Sequence, residues 1–189
     1  EGLGRVRVLW SRYGTAVRQA VDAQAVPPET LSEIARLNIP TLVEMNETVK
    51  LTERAYGDSS VPLHLAIALN ISGRQRMLTQ KMSKELCLIS AGHEVAANRA
   101  ALAGTVDLFN ASLEALIGGA PFVGIQPPRS AELAAQLDKV AGMWAELKPV
   151  FDRIVAGADP DPEALARVAV ENNPLLVEMN RAVFLYERE

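Results

Sequence analysis

The sequence is short of most of the groups that reaction chemistry uses. It has one cysteine, Cys87, so no internal disulfide can form. A lone thiol within a helical apolar pattern is expected to be a small core residue. The two histidines, His64 and His93, stand near opposite ends of one predicted helix and share no metal-ligand spacing with cysteines or carboxylates. Glu-x-x-His, the signature of a di-iron bundle, is absent. So are a glycine-rich phosphate loop, a serine nucleophile elbow and a Cys/His catalytic pairing. These absences argue against an enzyme, a metal-binding bundle and a bound cofactor.

Charge and hydropathy exclude more. Nineteen Lys and Arg against 23 Asp and Glu give a net charge of −4 and a pI near 5.3. A nucleic-acid binder needs a basic footprint that this chain lacks, and docking on an anionic membrane is disfavoured for the same reason. No run of about 18 apolar residues occurs, so no membrane-spanning segment is expected. The sequence opens on Glu1 and is expected to be a processed or trimmed product, with any leader or anchor outside it.

What is present is helical. Aromatics are only 5 % of the 189 residues, while apolar residues make up 49 %. That favours packed helices over sheets. The spacing predicts six helices: about Gly4 to Ala23, Glu29 to Tyr56, Ser60 or Pro62 to Ala91, His93 to Leu116, Ser130 to Ala156, and Glu163 to Arg188. Pro40 and Pro174 interrupt the second and last. Ser59 or Ser60 is the expected cap of the third helix, Gly92 its stop, and Ser130 the cap of the fifth. Asp159 to Pro162 reads as a turn and cap, and Gly118 to Pro128 as the longest loop. The fold class is all-α, an antiparallel helical bundle.

An internal repeat organises these helices. At an offset of 134 residues Trp10 falls on Trp144, Pro28-Glu29 on Pro162-Glu163, and Asn38 and Pro40 on Asn172 and Pro174. Leu42-Val43-Glu44-Met45-Asn46 falls on Leu176-Val177-Glu178-Met179-Asn180 without a gap. Residues 1–57 therefore read as the C-terminal, two-helix half of a first module, and residues 62–189 as a complete four-helix module. The motif-bearing half of the first module is expected upstream of residue 1. The matched tryptophans point to packing. Glu44 and Glu178, with Asn46 and Asn180, read as bracing groups around the proline bends.

The most informative stretch is residues 70–82, Asn-Ile-Ser-Gly-Arg-Gln-Arg-Met-Leu-Thr-Gln-Lys-Met. On a helical wheel Ile67, Ile71, Leu78, Met82, Leu86 and Ile89 form one apolar stripe. Asn70, Gly73, Met77 and Gln80 form a second face, and Arg76 lies about 140° from the stripe at about 100° per residue. Gly73 lets a backbone or ligand come close, and Arg76 supplies planar donors for an oxyanion. Two such helices meeting about a twofold axis would converge two guanidiniums on one small anion. Equally, Leu65, Leu69 and Met77 on this mixed face fit a helical protein-interaction module with no small-molecule ligand. An arginine on a solvated face with an incidental glycine is the plain reading of the same wheel.

The run from Asn70 to Gln80 resembles the signature of the PilJ-type sensing domain, the N-terminal ligand-binding domain of type IV pili methyl-accepting chemotaxis transducers. It is also similar to the periplasmic box of nitrate/nitrite sensor histidine kinases, whose Asn, Gly, Arg and Met fall on Asn70, Gly73, Arg76 and Met77. The Leu-Val-Glu-Met-Asn half-module resembles the second half of the same domain, twice over. The resemblance implies a periplasmic, non-catalytic sensor of a small anion, nitrate or nitrite foremost. In that family the arginine matching Arg76 meets its counterpart around one anion at a dimer interface. The implied site is Arg76, Gly73, Asn70, Met77 and Gln80. The implied partners are a second copy or pseudo-dimer half and a signalling protein.

Overall fold

The structure, a computed structural model, describes residues 2–56 and 61–189. Among them are six α-helices: α1 (Gly2–Ala23), α2 (Pro28–Tyr56), α3 (Leu63–Ser90), α4 (Val95–Gly118), α5 (Ala131–Val155) and α6 (Pro162–Tyr186). A single 3-10 turn, Pro121–Val123, lies between α4 and α5. No strand occurs among the described residues, so the fold is all-α, as the composition predicts. The chain divides into two compact units, Glu1–Ser59 and Ser60–Glu189.

The second unit is a four-helix bundle. α3 packs on α4 and α6, and α5 packs on α4 and α6, which closes the ring around one core. Its helix ends follow from sequence. Gly92 takes φ +72°, and the amides of Gly92 and His93 return to the carbonyls of Ile89 and Leu88. That double bond pattern ends α3 where a glycine tolerates left-handed backbone. The Ser130 hydroxyl accepts from the Leu133 amide at 3.2 Å, and the Asp161 carboxylate from the Ala164 amide at 2.7 Å. Each such cap is worth about 1 kcal/mol. Ser59 and Ser60, the expected caps of α3, lie outside the described residues. The long loop is pinned by reciprocal backbone bonds between Ala120 and Ile125 at 2.9 and 3.1 Å.

The core stacks Phe109 of α4 on Trp144 of α5, ring centroids 4.4 Å apart, with Phe151 beyond at 6.1 Å. The Trp144 indole donates to Asn110 Oδ1 at 3.1 Å, which satisfies its one polar group. Helix α4 is long and apolar enough to cross a membrane by composition, which a search for unbroken apolar runs does not reveal. Here Leu102, Phe109 and Leu116 of α4 are fully buried in the bundle.

Four expectations need correction. Cys87 is exposed, not a core residue. Trp10 is exposed while its repeat counterpart Trp144 is buried, so the matched tryptophans do not share a packing environment. Glu44 and Glu178 do not brace proline bends: Glu44 pairs with Arg5 of α1 at 2.6 Å, and Glu178 with Lys139 of α5 at 2.9 Å. They tie the two helices of each hairpin together. Finally, α3 buries Ala68, Ser72, Gln75 and Thr79, whereas Ile67 and Ile71 are only half-buried.

The cause of that last difference is periodic. Of the ten buried positions on α3, seven (68, 72, 75, 79, 82, 86 and 89) advance by four and three in turn, with Leu78, Glu85 and Leu88 flanking them. This is a period of 3.5, and a wheel drawn at 3.6 drifts about 20° from it per heptad. Polar residues in the seam bond to backbone carbonyls: Ser72 donates to Leu69 O, Thr79 to Arg76 O, and Gln75 Nε2 to Phe109 O, while Gln75 Oε1 is buried with no partner among the described residues.

The first unit is the hairpin of α1 and α2, joined across Gln24 to Pro27. Leu37 is its most deeply buried side chain, with Val6, Ala16 and Ala20 beside it. Thr41 and Thr48 are buried too, and each returns its hydroxyl to a carbonyl one turn back.

Candidate functional site

Asn70, Gly73, Met77 and Gln80 recur at three and four residues along α3, so they share one side of the helix. The structure grades that side. Asn70 and Gln80 are exposed, Gly73 is half-buried, and Met77 is half-buried against the edge of the bundle core. Met77 thus belongs partly to packing. Arg74 points to solvent, whereas Arg76 is half-buried.

Arg76 reaches across to α6. Its Nη1 donates to Asn180 Oδ1 at 2.6 Å, and its Nε bends back toward Gly73 O at 3.4 Å. One turn further along α3, Gln80 Nε2 donates to Asn173 Oδ1 at 3.3 Å. The α3–α6 edge is therefore crossed twice by amide groups, and the guanidinium is held at that edge, outside the core. Asn180 and Asn173 are partners of these side chains that the wheel did not give. Asn180 was visible as part of the repeat, but a wheel of α3 carries no information about which helix lies beside it.

The electrostatics of this edge are specific. Among the described residues no carboxylate forms an ion pair with Arg76; its acceptor is a neutral amide. The nearby Glu178 is engaged on the other side of α6. It accepts from Gln136, Lys139 and Arg181. Those bonds, the Gln136 bond foremost, hold its carboxyl below the usual range. A guanidinium has five N–H donors, and one bonded to a neutral acceptor keeps its full positive charge for an incoming anion.

Gly73 adds a second observation. A Cβ built there meets nothing nearer than Arg76 Nη2 at 3.7 Å, an ordinary contact. Its backbone is plainly helical. Among the described residues nothing requires a glycine at this position, yet a glycine inside a helix costs about 0.5–1 kcal/mol relative to alanine. The side of α3 beside Arg76 is kept bare.

Two cavities of this unit lie at the N-terminal end of α3, lined by His64, Arg129, Pro127 and Glu189 among others. There Arg129 meets His64 Nε2 at 2.9 Å, and the amides of Arg129 and Ser130 donate to Glu189. Arg76 itself stands half-buried at the α3–α6 edge. Among the described residues no group of three His, Cys, Asp or Glu side chains is placed to hold a metal ion.

Comparison with known proteins identifies the family of the chain. Residues 60–170 match the family described as type IV pili methyl-accepting chemotaxis transducer N-term, PilJ. The methyl-accepting chemotaxis protein McpN of Pseudomonas aeruginosa is 31 % identical over 133 residues, which are 67 % of this chain and 24 % of that protein. The chain thus spans about a quarter of the length of that relative. Among solved structures, the ligand-binding domain of the P. aeruginosa nitrate receptor McpN superposes with a TM-score of 0.54 at 27 % identity. The match covers 68 % of this chain and 98 % of that one.

Proposed function

The chain belongs to the PilJ family of type IV pili methyl-accepting chemotaxis transducer N-terminal domains, and from that premise we propose that its four-helix unit senses a small anion of the nitrate or nitrite class at Arg76. The family role is that of a non-catalytic sensor. The relative whose ligand-binding domain shares this fold is a nitrate receptor, which supports the choice of anion. The location that fits such a domain is the periplasm.

The observation that carries the reading is the pairing of Arg76 with a neutral acceptor beside an unneeded glycine. Arg76 keeps its charge, Asn180 fixes its direction, and Gly73 leaves room for a second α3-type helix to approach. Asn70, Met77 and Gln80 line the same approach. Two such helices, from a second copy or a pseudo-dimer half, bring two guanidiniums to one anion. Without the anion the like charges repel; with it they are bridged. Occupancy then selects how the helices sit, and a helix shift toward a signalling partner is the readout.

Isothermal titration with nitrate and nitrite tests this. The chain is expected to bind at least one of them, and Arg76→Ala to lose binding with its thermal unfolding unchanged. Absence of heat for both anions, or equal binding by the variant, overturns the proposal.

A further inference from the structure

The repeat offset of 134 residues carries more than sequence. The cross-helix ion pair Arg5–Glu44 of the hairpin recurs as Lys139–Glu178 of the bundle, with both partners displaced by that number. The α1–α2 hairpin is thus built as α5–α6 is built. Its inner face differs in one respect. Leu137, Trp144 and Met179 are at most 3 % exposed, and Val183 is 7 % exposed, while their counterparts Leu3, Trp10, Met45 and Val49 are 74, 60, 41 and 46 % exposed. Asn46, the counterpart of Asn180, is exposed as well.

We propose that this face of α1–α2 docks a helical hairpin of the α3–α4 kind, with Asn46 accepting from an arginine on it. The bundle shows what covers such a face. Asn180 meets Arg76 of α3, and Trp144 meets the ring of Phe109 and the amide oxygen of Asn110 on α4. A partner that satisfies both Asn46 and the Trp10 indole must bring a guanidinium and an aromatic-plus-amide pair at the same spacing. Two copies of α1–α2 pressed face to face would offer Trp10 to Trp10 rather than the α4-type ring and amide that receive Trp144 in the bundle. In the order of the repeat the hairpin comes ahead of α1 on the same polypeptide. Completion of the face yields a second module with its own motif arginine. The assignment of anion sensing to that arginine rests on the function proposed above, whereas the docking does not.

The test extends the whole chain at its N-terminus with a duplicate of residues 61–134, which restores the repeat spacing because Ala135 is the counterpart of Glu1. Acrylamide quenching of tryptophan fluorescence is read on the chain and on the extended protein. Trp144 is buried in its bundle, and its second copy, Trp10, supplies the quenchable signal. The chain alone is expected to be readily quenched. The extended protein is expected to lose most of that quenching, shift its emission to the blue and gain helical signal, and Asn46→Ala is expected to lower its melting temperature while leaving the chain alone unchanged. A Trp10 that stays equally quenchable after extension, or an extension that adds no helix, overturns the proposal. So does a chain that sediments as a dimer with Trp10 already protected, which would assign the face to a second copy. No anion is used in these measurements, so their failure is separate from failure of the nitrate titration.

Discussion

Arg76 Nη1 lies 2.6 Å from Asn180 Oδ1, which joins the middle of α3 to the C-terminal half of α6 across 104 residues of sequence. The bond aims a cation along the bundle edge without cancelling its charge. An aspartate in place of Asn180 would hold the guanidinium as well but would compete with any anion for it. Asn180→Ala is expected to weaken nitrate or nitrite affinity about tenfold, in line with about 1.5 kcal/mol for a hydrogen bond to a charged group. Asn180→Asp is expected to weaken it more. Titration calorimetry on the two variants reads both effects, and an Asn180→Asp that binds better than wild type would contradict the role given to Asn180.

Gly73 separates helix stability from partner approach. Nothing among the described residues crowds its Cβ position. Gly73→Ala is expected to raise the stability of the bundle by about 0.5–1 kcal/mol and to lower anion affinity or anion-linked association. Denaturant unfolding and titration on one preparation give both numbers. A variant that is more stable and binds equally well would show that no second wall approaches Gly73.

Glu178 makes stability depend on pH. Its carboxyl titrates below the ordinary value because Gln136 and then Lys139 bond its charged form, with Arg181 adding attraction. As pH falls through the ordinary carboxylate range the unfolded chain takes up the proton first. The contribution of Glu178 is therefore complete above that range and is lost as pH falls toward the depressed folded value. Urea midpoints measured from pH 7 to pH 3 are expected to fall less steeply for Glu178→Gln than for the wild type. Parallel profiles would remove Glu178 from the account.

Lys81 neutralises a carboxylate inside the bundle. Its Nζ contacts Glu85, which is 1 % exposed, and also Thr105 Oγ1 of α4 at 2.6 Å. Lys81→Ala removes the cation bonded to that buried carboxylate, leaving the attraction of Lys84, and is expected to cost about 3 kcal/mol. The double variant Lys81→Ala/Glu85→Ala is expected to recover part of the loss, which a four-member cycle of unfolding free energies measures.

Much of the bundle was legible because helix signals are local. Gly92, Ser130 and Asp161 act on amides within four residues of themselves, so their roles follow from the sequence. Leu78, Met82, Leu86 and Ile89 are buried on α3 as the apolar pattern predicts. The same pattern misplaced Ile67 and Ile71, because a bundle seam repeats every 3.5 residues and admits Ser72, Gln75 and Thr79, each of which donates to a backbone carbonyl. Cys87 went wrong for a related reason: composition says that cysteines are usually buried, and only the position of neighbouring helices says which side of α3 is outside.

The candidate site divides along the same line. The sequence by itself determined the all-α class, the 134-residue repeat, and the set of Asn70, Gly73, Arg76, Met77 and Gln80 on α3, since spacing along one helix fixes which residues share a side. Tertiary structure alone decided that Arg76 is directed by Asn180, that Gln80 meets Asn173, and that Trp10 and Trp144 differ in burial despite matched positions. These depend on which helix lies alongside. That is set by the packing of distant segments, and no periodicity within a single helix records it.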